Sequence, residues 1–375
     1  MKLVDIPTGS VPVTVRLINP VSFGPAIIKR FMAPPVPGLD SWKSPSPSLS
    51  FLLEHPSGRK LVWDLGIRKD YANYAPSIAS YIPTTGYQFS GLRNVADILE
   101  EHGVKTSDIE AVIWSHWHWD HIGDPSSFPP SVDLVVGRGF KEAMLPGAPA
   151  NPASPIQESD YTGRTLREIA FAEGGEHTVK IGQLDAFDYF GDGSLFLLDT
   201  PGHAVGHLSA LVRTTVDDAD NVAAGKHTFV LLGGDVCHYT GILRPSAHLP
   251  VPREILPHPC CTARTVDAST ISGAFCPGTA FDELQQDRGR APTDTLYDLT
   301  FGLDVKLAAQ TVGKLQEFDC DDNVFVIIAH DRFVRDVVPH FPASINEWHA
   351  KGWGQQVRWA FLGDLDAYWK SKGLI

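Results

Sequence analysis

The stretch Ser115-His116-Trp117-His118-Trp119-Asp120-His121 puts three imidazoles and a carboxylate within six residues, directly after the apolar run Ala111-Val112-Ile113-Trp114. Neutral imidazole and carboxylate are the ligands that divalent zinc favours. If the segment is extended, alternate residues share a face and His116, His118 and Asp120 project together. His121 then leaves in another direction and can serve a second ion. One short loop could thus feed two adjacent metals. The plain alternative is a His-rich surface loop.

Several elements are positioned to hold such a loop. Ala111–Trp114 reads as a buried strand. Leu49–Glu54 and Lys60–Asp64 read as strands joined by a turn at Pro56-Ser57-Gly58. Gly91–His102 has apolar residues at helical spacing and Gly103 at its stop. Val132–Val136 is a further buried strand. Glu176–Phe190 and Ser194–Leu198 read as strands parted by Gly191-Asp192-Gly193. His207–Thr214 and His227–Leu232 form another pair, and Leu303–Phe318 an amphipathic helix. Strands in both halves with helices between them suggest two packed sheets covered by helices, although the pattern alone gives only mixed α and β.

Two stretches stand apart. Residues 1–47 are Pro-rich, with one strand expected around Val13–Ile18, and Phe31–Gly38 is too rich in proline for regular structure. We read about 19–47 as an arm packed over a pocket, because Phe31, Met32 and Trp42 are too apolar for a solvated linker. The segment of about 237–295 is irregular and reads as an inserted lid. Both are expected to shape the substrate pocket rather than the core, and trimming the long insertion should cost activity more than fold. Chain length and composition fit one domain over 1–375.

The chain resembles the metallo-β-lactamase superfamily, whose signature is His-x-His-x-Asp-His after a strand. Further segments follow in the family's order: Asp64-Leu65-Gly66, Asp199-Thr200-Pro201-Gly202-His203, Leu231-Leu232-Gly233-Gly234-Asp235 and Val324–His330. The resemblance implies an α+β fold, the αββα four-layer sandwich. It also implies a ligand set: His116, His118 and His203 for one ion, Asp120, His121 and His330 for the other, and Asp235 as the bridge. Asp64 would hold a ligand histidine by its free N–H. Two zinc ions are expected, although iron and manganese accept similar ligands.

The motifs are closest to the acyl-homoserine lactonase-like branch. That implies a metal-dependent hydrolase, opening a lactone or lactam by attack of a metal-held hydroxide, with Asp120 shuttling the proton. Related lactonases place a Tyr three residues after the bridging Asp; here His238 is third and Tyr239 fourth, so both are candidates for the donor to the substrate oxygen. A glyoxalase II-like thioesterase or another dizinc ester hydrolase is the alternative. A redox or binding protein on the same fold is the third reading, disfavoured because the second His of the motif is intact where the diiron branch has Glu. Trp117 and Trp119 are either core or pocket wall. His207, four after His203, is expected to be structural.

Composition narrows the partners. The net charge is −13, with no long basic run, which weighs against nucleic acid. The partner expected is a small hydrophobic cyclic ester or amide, and a homodimer is admitted. No run of about 18 apolar residues offers a membrane span. The five cysteines do not suggest a disulfide framework, and no signal-like start is present, so the chain is read as cytoplasmic.

Overall fold

In the N-terminal half the strands alternate between two separate apolar clusters. Val15, Leu17, Phe51, Leu53, Leu61, Trp63, Ala111 and Ile113 belong to one cluster, whereas Ile18, Leu52, Val62, Val112 and Leu134 belong to the other. Successive strand residues point to opposite faces, so this sheet is buried on both sides. Its order is Thr14–Ile18, Ser50–Glu54, Lys60–Trp63, Ala111–Ile113, Asp133–Val136 and Leu166–Glu168. The second sheet runs Thr178–Ile181, Leu184–Asp188, Leu195–Asp199, Leu208–Thr215, Thr228–Leu232 and Val324–Ile327. This is a computed structural model, and it describes residues 2–42, 44–172, 174–216, 227–262 and 273–375.

The inner cluster joins one face of the first sheet to the second sheet, through residues such as Leu195, Leu197, Ala210 and Val230. Outside the first sheet lies the helix Val95–Glu101, whose Val95, Ile98 and Leu99 are in the outer cluster. Outside the second lies Val305–Asp319, with Val312, Leu315 and Phe318 buried. The result is the α+β sandwich of four layers, αββα.

The expected helices and strands are found with moved ends. Glu176–Phe190 is two strands, because Gly182 (φ 56°) turns the chain between Ile181 and Leu184. Residues 1–47 hold more than one strand: Ser22–Gly24 and Ser46–Pro47 pair with each other, and Met32–Ala33 pairs with Asp298–Leu299. The expectation that Phe31–Gly38 carries no regular structure fails at that point. Met32 and Ala33 precede the prolines and keep their N–H groups.

Topology decides where the functional loops meet. Lys60–Trp63, Ala111–Ile113 and Asp133–Val136 are parallel neighbours, as are Thr228–Leu232 and Val324–Ile327. Leu195–Asp199 is antiparallel to Leu208–Thr215, which is antiparallel to Thr228–Leu232. Asp64, the His116 loop, His203, Asp235 and His330 therefore all follow strands that end on one edge. The edges are stitched together there: Leu208 N–H donates to the Ser115 carbonyl (2.8 Å) and Leu49 N–H to the Ala329 carbonyl (3.0 Å).

The His203 loop is pressed onto the start of the helix Val305–Asp319. Asp304 N–H donates to the Gly202 carbonyl at 2.8 Å, and Thr311 Oγ1 donates to the Pro201 carbonyl at 2.7 Å. Gly202 has φ +123°, and a Cβ there would lie 2.2 Å from the Ala308 nitrogen. Gly202→Ala is expected to cost about 2 kcal/mol or more, since strain and overlap with backbone act together. Calorimetry should show a melting temperature several degrees below wild type; an unchanged one refutes this account of the loop.

Candidate metal centre

The first sheet's strand ends at Ile113, and a single helical turn, Trp119–Ile122, begins after His118. His118 itself is extended (φ −69°, ψ 149°). Asp120 thus does not share a face with His116 and His118 as a straight extended segment would require. It turns with His121 toward the other side. Two groups of donors result: His116, His118, His203 and Asp235, and Asp120, His121, Asp235 and His330, each with ligand atoms within 4.8 Å of one another. Asp235 belongs to both.

Ring nitrogens converge in the first group. His203 Nε2 lies 3.2 Å from His116 Nε2 and 2.9 Å from His118 Nδ1. Burial pushes His116 and His203 well below the usual imidazole range and His118 down to about 4. These are neutral rings with lone pairs facing one point, which a cation satisfies and further protons would not.

The second group is held by carboxylates. Asp235 Oδ1 lies 3.1 Å from His330 Nε2 and 3.3 Å from His121 Nε2, while its Oδ2 is 3.6 Å from His203 Nε2. His121 Nε2 and Asp235 Oδ1 are buried yet form no aligned hydrogen bond, as expected of ligand atoms aimed at a third body. Burial alone would lower His121 and His330, but Asp235 and its neighbouring carboxylates outweigh it and raise both. Burial alone would raise Asp235; His330, His121 and His238 hold it well below the carboxylate range. Both groups therefore fit a divalent ion by donor type, convergence and charge.

The outer partners fix each ring. His121 Nδ1 is 2.9 Å from Asp64 Oδ2, and Asp64 also accepts from Ser115 N (2.6 Å) and Ser115 Oγ (2.7 Å). Asp64 adopts φ 54°, an unusual conformation for a non-glycine residue that its three hydrogen bonds hold. His330 Nδ1 donates to the Pro47 carbonyl at 2.8 Å, leaving Nε2 for the site. His207 is not a donor to either group. Its Nδ1 donates to the Thr200 carbonyl (3.0 Å), and its Nε2 accepts the Asp235 N–H (3.0 Å), so it braces the bridging residue.

The two donor candidates separate. His238 faces the centre: Nε2 is 3.3 Å from Asp235 Oδ2, and its ring lies parallel to His330 at 5.9 Å. Tyr239 is buried behind it. Its hydroxyl is 2.8 Å from Asp364 Oδ2 and 3.1 Å from the Phe361 carbonyl.

A cavity of about 220 Å³ opens above the donors. Asp120, Asp235, His118, His238 and His330 form its floor, and both Trp117 and Trp119 line it. From the 19–47 segment Phe23, Arg30, Phe31 and Trp42 line it as well. Of the described residues in 237–295 only His238 does; residues 263–272 of that segment lie outside the described residues. Tyr81, Tyr87 and Phe301 also line the cavity; they sit in stretches without ligand motifs and carry no local signal.

The model of the metallo-beta-lactamase superfamily matches residues 44–219. Gamma-lactamase FDB1 of Fusarium pseudograminearum is 37% identical over 96% of this chain and 84% of its own. Metallo-hydrolase mfmC of Annulohypoxylon moriforme is 40% identical, with 96% and 89% covered. A B. thuringiensis AiiA variant solved with N-decanoyl-L-homoserine shares the fold at a TM-score of 0.51 and 18% identity, covering 90% of this chain and 100% of that one. The chain belongs to the metallo-beta-lactamase superfamily. Within it, this chain is a metallo-hydrolase. No described helix is long and apolar enough to cross a membrane.

Removing the carboxylate behind His121 should loosen the metal. Asp64→Asn is expected to lower affinity at the second group by about 10–100-fold, the usual effect of losing such a partner. Metal retained after dialysis against graded chelator checks this; retention equal to wild type refutes it.

Proposed function

We propose that this chain is a dizinc hydrolase that opens a lactone or lactam ring. The observation that carries it is the pair of donor groups sharing Asp235 at the floor of a small, mostly aromatic cavity. His116, His118 and His203 hold the first ion, Asp120, His121 and His330 the second, and Asp235 both. Nitrogen and carboxylate donors without cysteine suit zinc. When bound, the two ions supply Lewis acidity, acidifying water toward a pKa of about 7 and polarising the substrate carbonyl.

The rest falls to the protein. Water adds across the acyl carbon–heteroatom bond, and the ring opens to a hydroxy acid or amino acid. Both halves stay in one product, which suits a single closed chamber. Asp120 lines the cavity and is held from behind, its carbonyl accepting from Ser48 Oγ. It takes the proton from water and passes it to the departing ring heteroatom. His238, on the cavity floor, donates to the oxygen that gains charge. Tyr239 serves as its support, because its hydroxyl is committed to Asp364. The relatives' names, a gamma-lactamase among them, agree with this class.

A panel of lactones, lactams, thioesters and phosphodiesters, each with and without chelator, tests the reading. Chelator-sensitive opening of cyclic esters or amides is expected; turnover of thioesters or phosphodiesters alone overturns it. A lost oxyanion donor costs about 10²–10³ in kcat. His238→Ala should show a loss of that order on the best substrate, whereas Tyr239→Phe should stay within a few-fold. Wild-type kcat in His238→Ala removes His238 from the role.

A further inference from the structure

The cavity has one wall unlike the others. Opposite a floor that carries Asp120 and Asp235, Arg30 joins the lining with Tyr81 and Tyr87 beside it. Arg30 is the only Lys or Arg among the lining residues. It is exposed at the mouth and has no carboxylate within ion-pair distance among the described residues. Its hydrogen-bond partner is a neutral phenol, the Tyr81 hydroxyl. Three rings hold it in place: the guanidinium carbon lies 5.6 Å from the Phe31 centroid and 5.9 Å from those of Tyr81 and Phe301.

Phe31 and Phe301 in turn touch the catalytic floor, with centroids 5.0 and 5.3 Å from the His238 ring. One layer of aromatic rings therefore separates the guanidinium from the metal donors. Tyr87, which also lines the cavity, packs against Trp119 with ring centroids 6.3 Å apart.

We propose that Arg30 is a specificity residue, recognising a carboxylate on the substrate at the end remote from the ring that is opened. This rests on the ring-opening reading above and adds the substrate class: an aromatic or otherwise flat lactone or lactam bearing an anionic group. The Arg30 guanidinium donates to the Tyr81 hydroxyl and keeps further N–H donors, to which a wholly apolar ligand offers no acceptor. A carboxylate satisfies them in a forked, charge-assisted contact. The scissile carbonyl belongs at the metal donors, so a substituent remote from it is the part of the substrate free to extend toward Arg30.

The test compares dihydrocoumarin with dihydrocoumarin carrying a carboxylate on its benzene ring. Wild type, Arg30→Met and Arg30→Lys are used as metal-loaded protein. KM is measured where a ligand is opened; otherwise Kd is read from quenching of the tryptophans lining the cavity. Wild type should prefer the carboxylated ligand by about tenfold, in line with a hydrogen bond to a charged group at a partly solvated site. The preference should vanish in Arg30→Met, persist in part in Arg30→Lys and shrink at high salt. Neutral dihydrocoumarin should change little across the three proteins.

Absence of preference in wild type overturns the proposal. So does a preference that survives in Arg30→Met, which would mean that the metals take the carboxylate. An equal loss for both ligands also overturns it, because Arg30 would then only brace the aromatic walls. If neither lactone is opened but the Arg30-dependent preference appears in Kd, the anion site stands, and the ring-opening reading falls when the lactone and lactam panel above is inert as well. If both are opened without preference, the reverse holds.

Discussion

A buried carboxylate shared by two sets of histidines is the constraint on which this molecule turns. Asp235 lies within 4 Å of ring nitrogens from His116, His121, His203, His238 and His330. Those rings come from both sheets, so the pair of sheets must close for the charge to be compensated. A charge left alone in such a place would cost several kcal/mol. The backbone answers the same need: His207 accepts the Asp235 N–H, and a Cβ at Gly234 would lie 3.0 Å from that His207 nitrogen, so the turn leaves no room for a larger residue.

Around that centre the chain builds rigidity outward in layers. Asp64 and Ser115 orient His121, and the Pro47 carbonyl orients His330. Further back, the C-terminal segment acts as a strut. Asp364 receives both Arg332 and the Tyr239 hydroxyl, and Arg332 lies two residues after His330 while Tyr239 follows His238. Burial, and then the Asp364 charge, raise the Tyr239 phenol well above its ordinary value, so it stays a neutral donor to that carboxylate. A second buried pair, Arg244 and Asp319, ties the chain beyond Asp235 to the helix covering the second sheet. These pairs lie where the tail after residue 345 meets the metal-bearing loops, which explains why that tail is apolar and folded.

The chamber shows a different logic, with apolar walls over a polar floor. Phe23 lies edge-on to Trp119 at 5.8 Å and to His330 at 5.5 Å, while Phe31 stacks on Trp42 at 5.7 Å. Such walls exclude water and strengthen every charge interaction inside. The arm is tied to the body at several points: Ser22–Gly24 pairs with Gln88–Ser90, Met32–Ala33 with Asp298–Leu299, and Arg288 donates to the Pro34 and Pro35 carbonyls. The Met32–Ala33 pairing, which places Phe31 over the floor, is the same one that brings Phe301 beside it.

Much of the site was legible before any folding was considered. The His116–His121 motif was legible from donor types held in a few adjacent residues, and its resemblance to the metallo-β-lactamase signature implied His203, Asp235 and His330 by their order along the chain. Strand and helix periodicity likewise pointed to two covered sheets. What the sequence left open was decided by tertiary packing. Whether His238 or Tyr239 faces the centre depends on where Asp364 lies, 125 positions along the chain from Tyr239. That Asp120 turns away from His116 and His118 depends on a helical turn too short to leave a periodic signal. Arg30, Tyr81, Tyr87 and Phe301 carry no motif at all. They become one wall only because the arm crosses the strand ends, and no local pattern records which distant surfaces a chain will bring into contact.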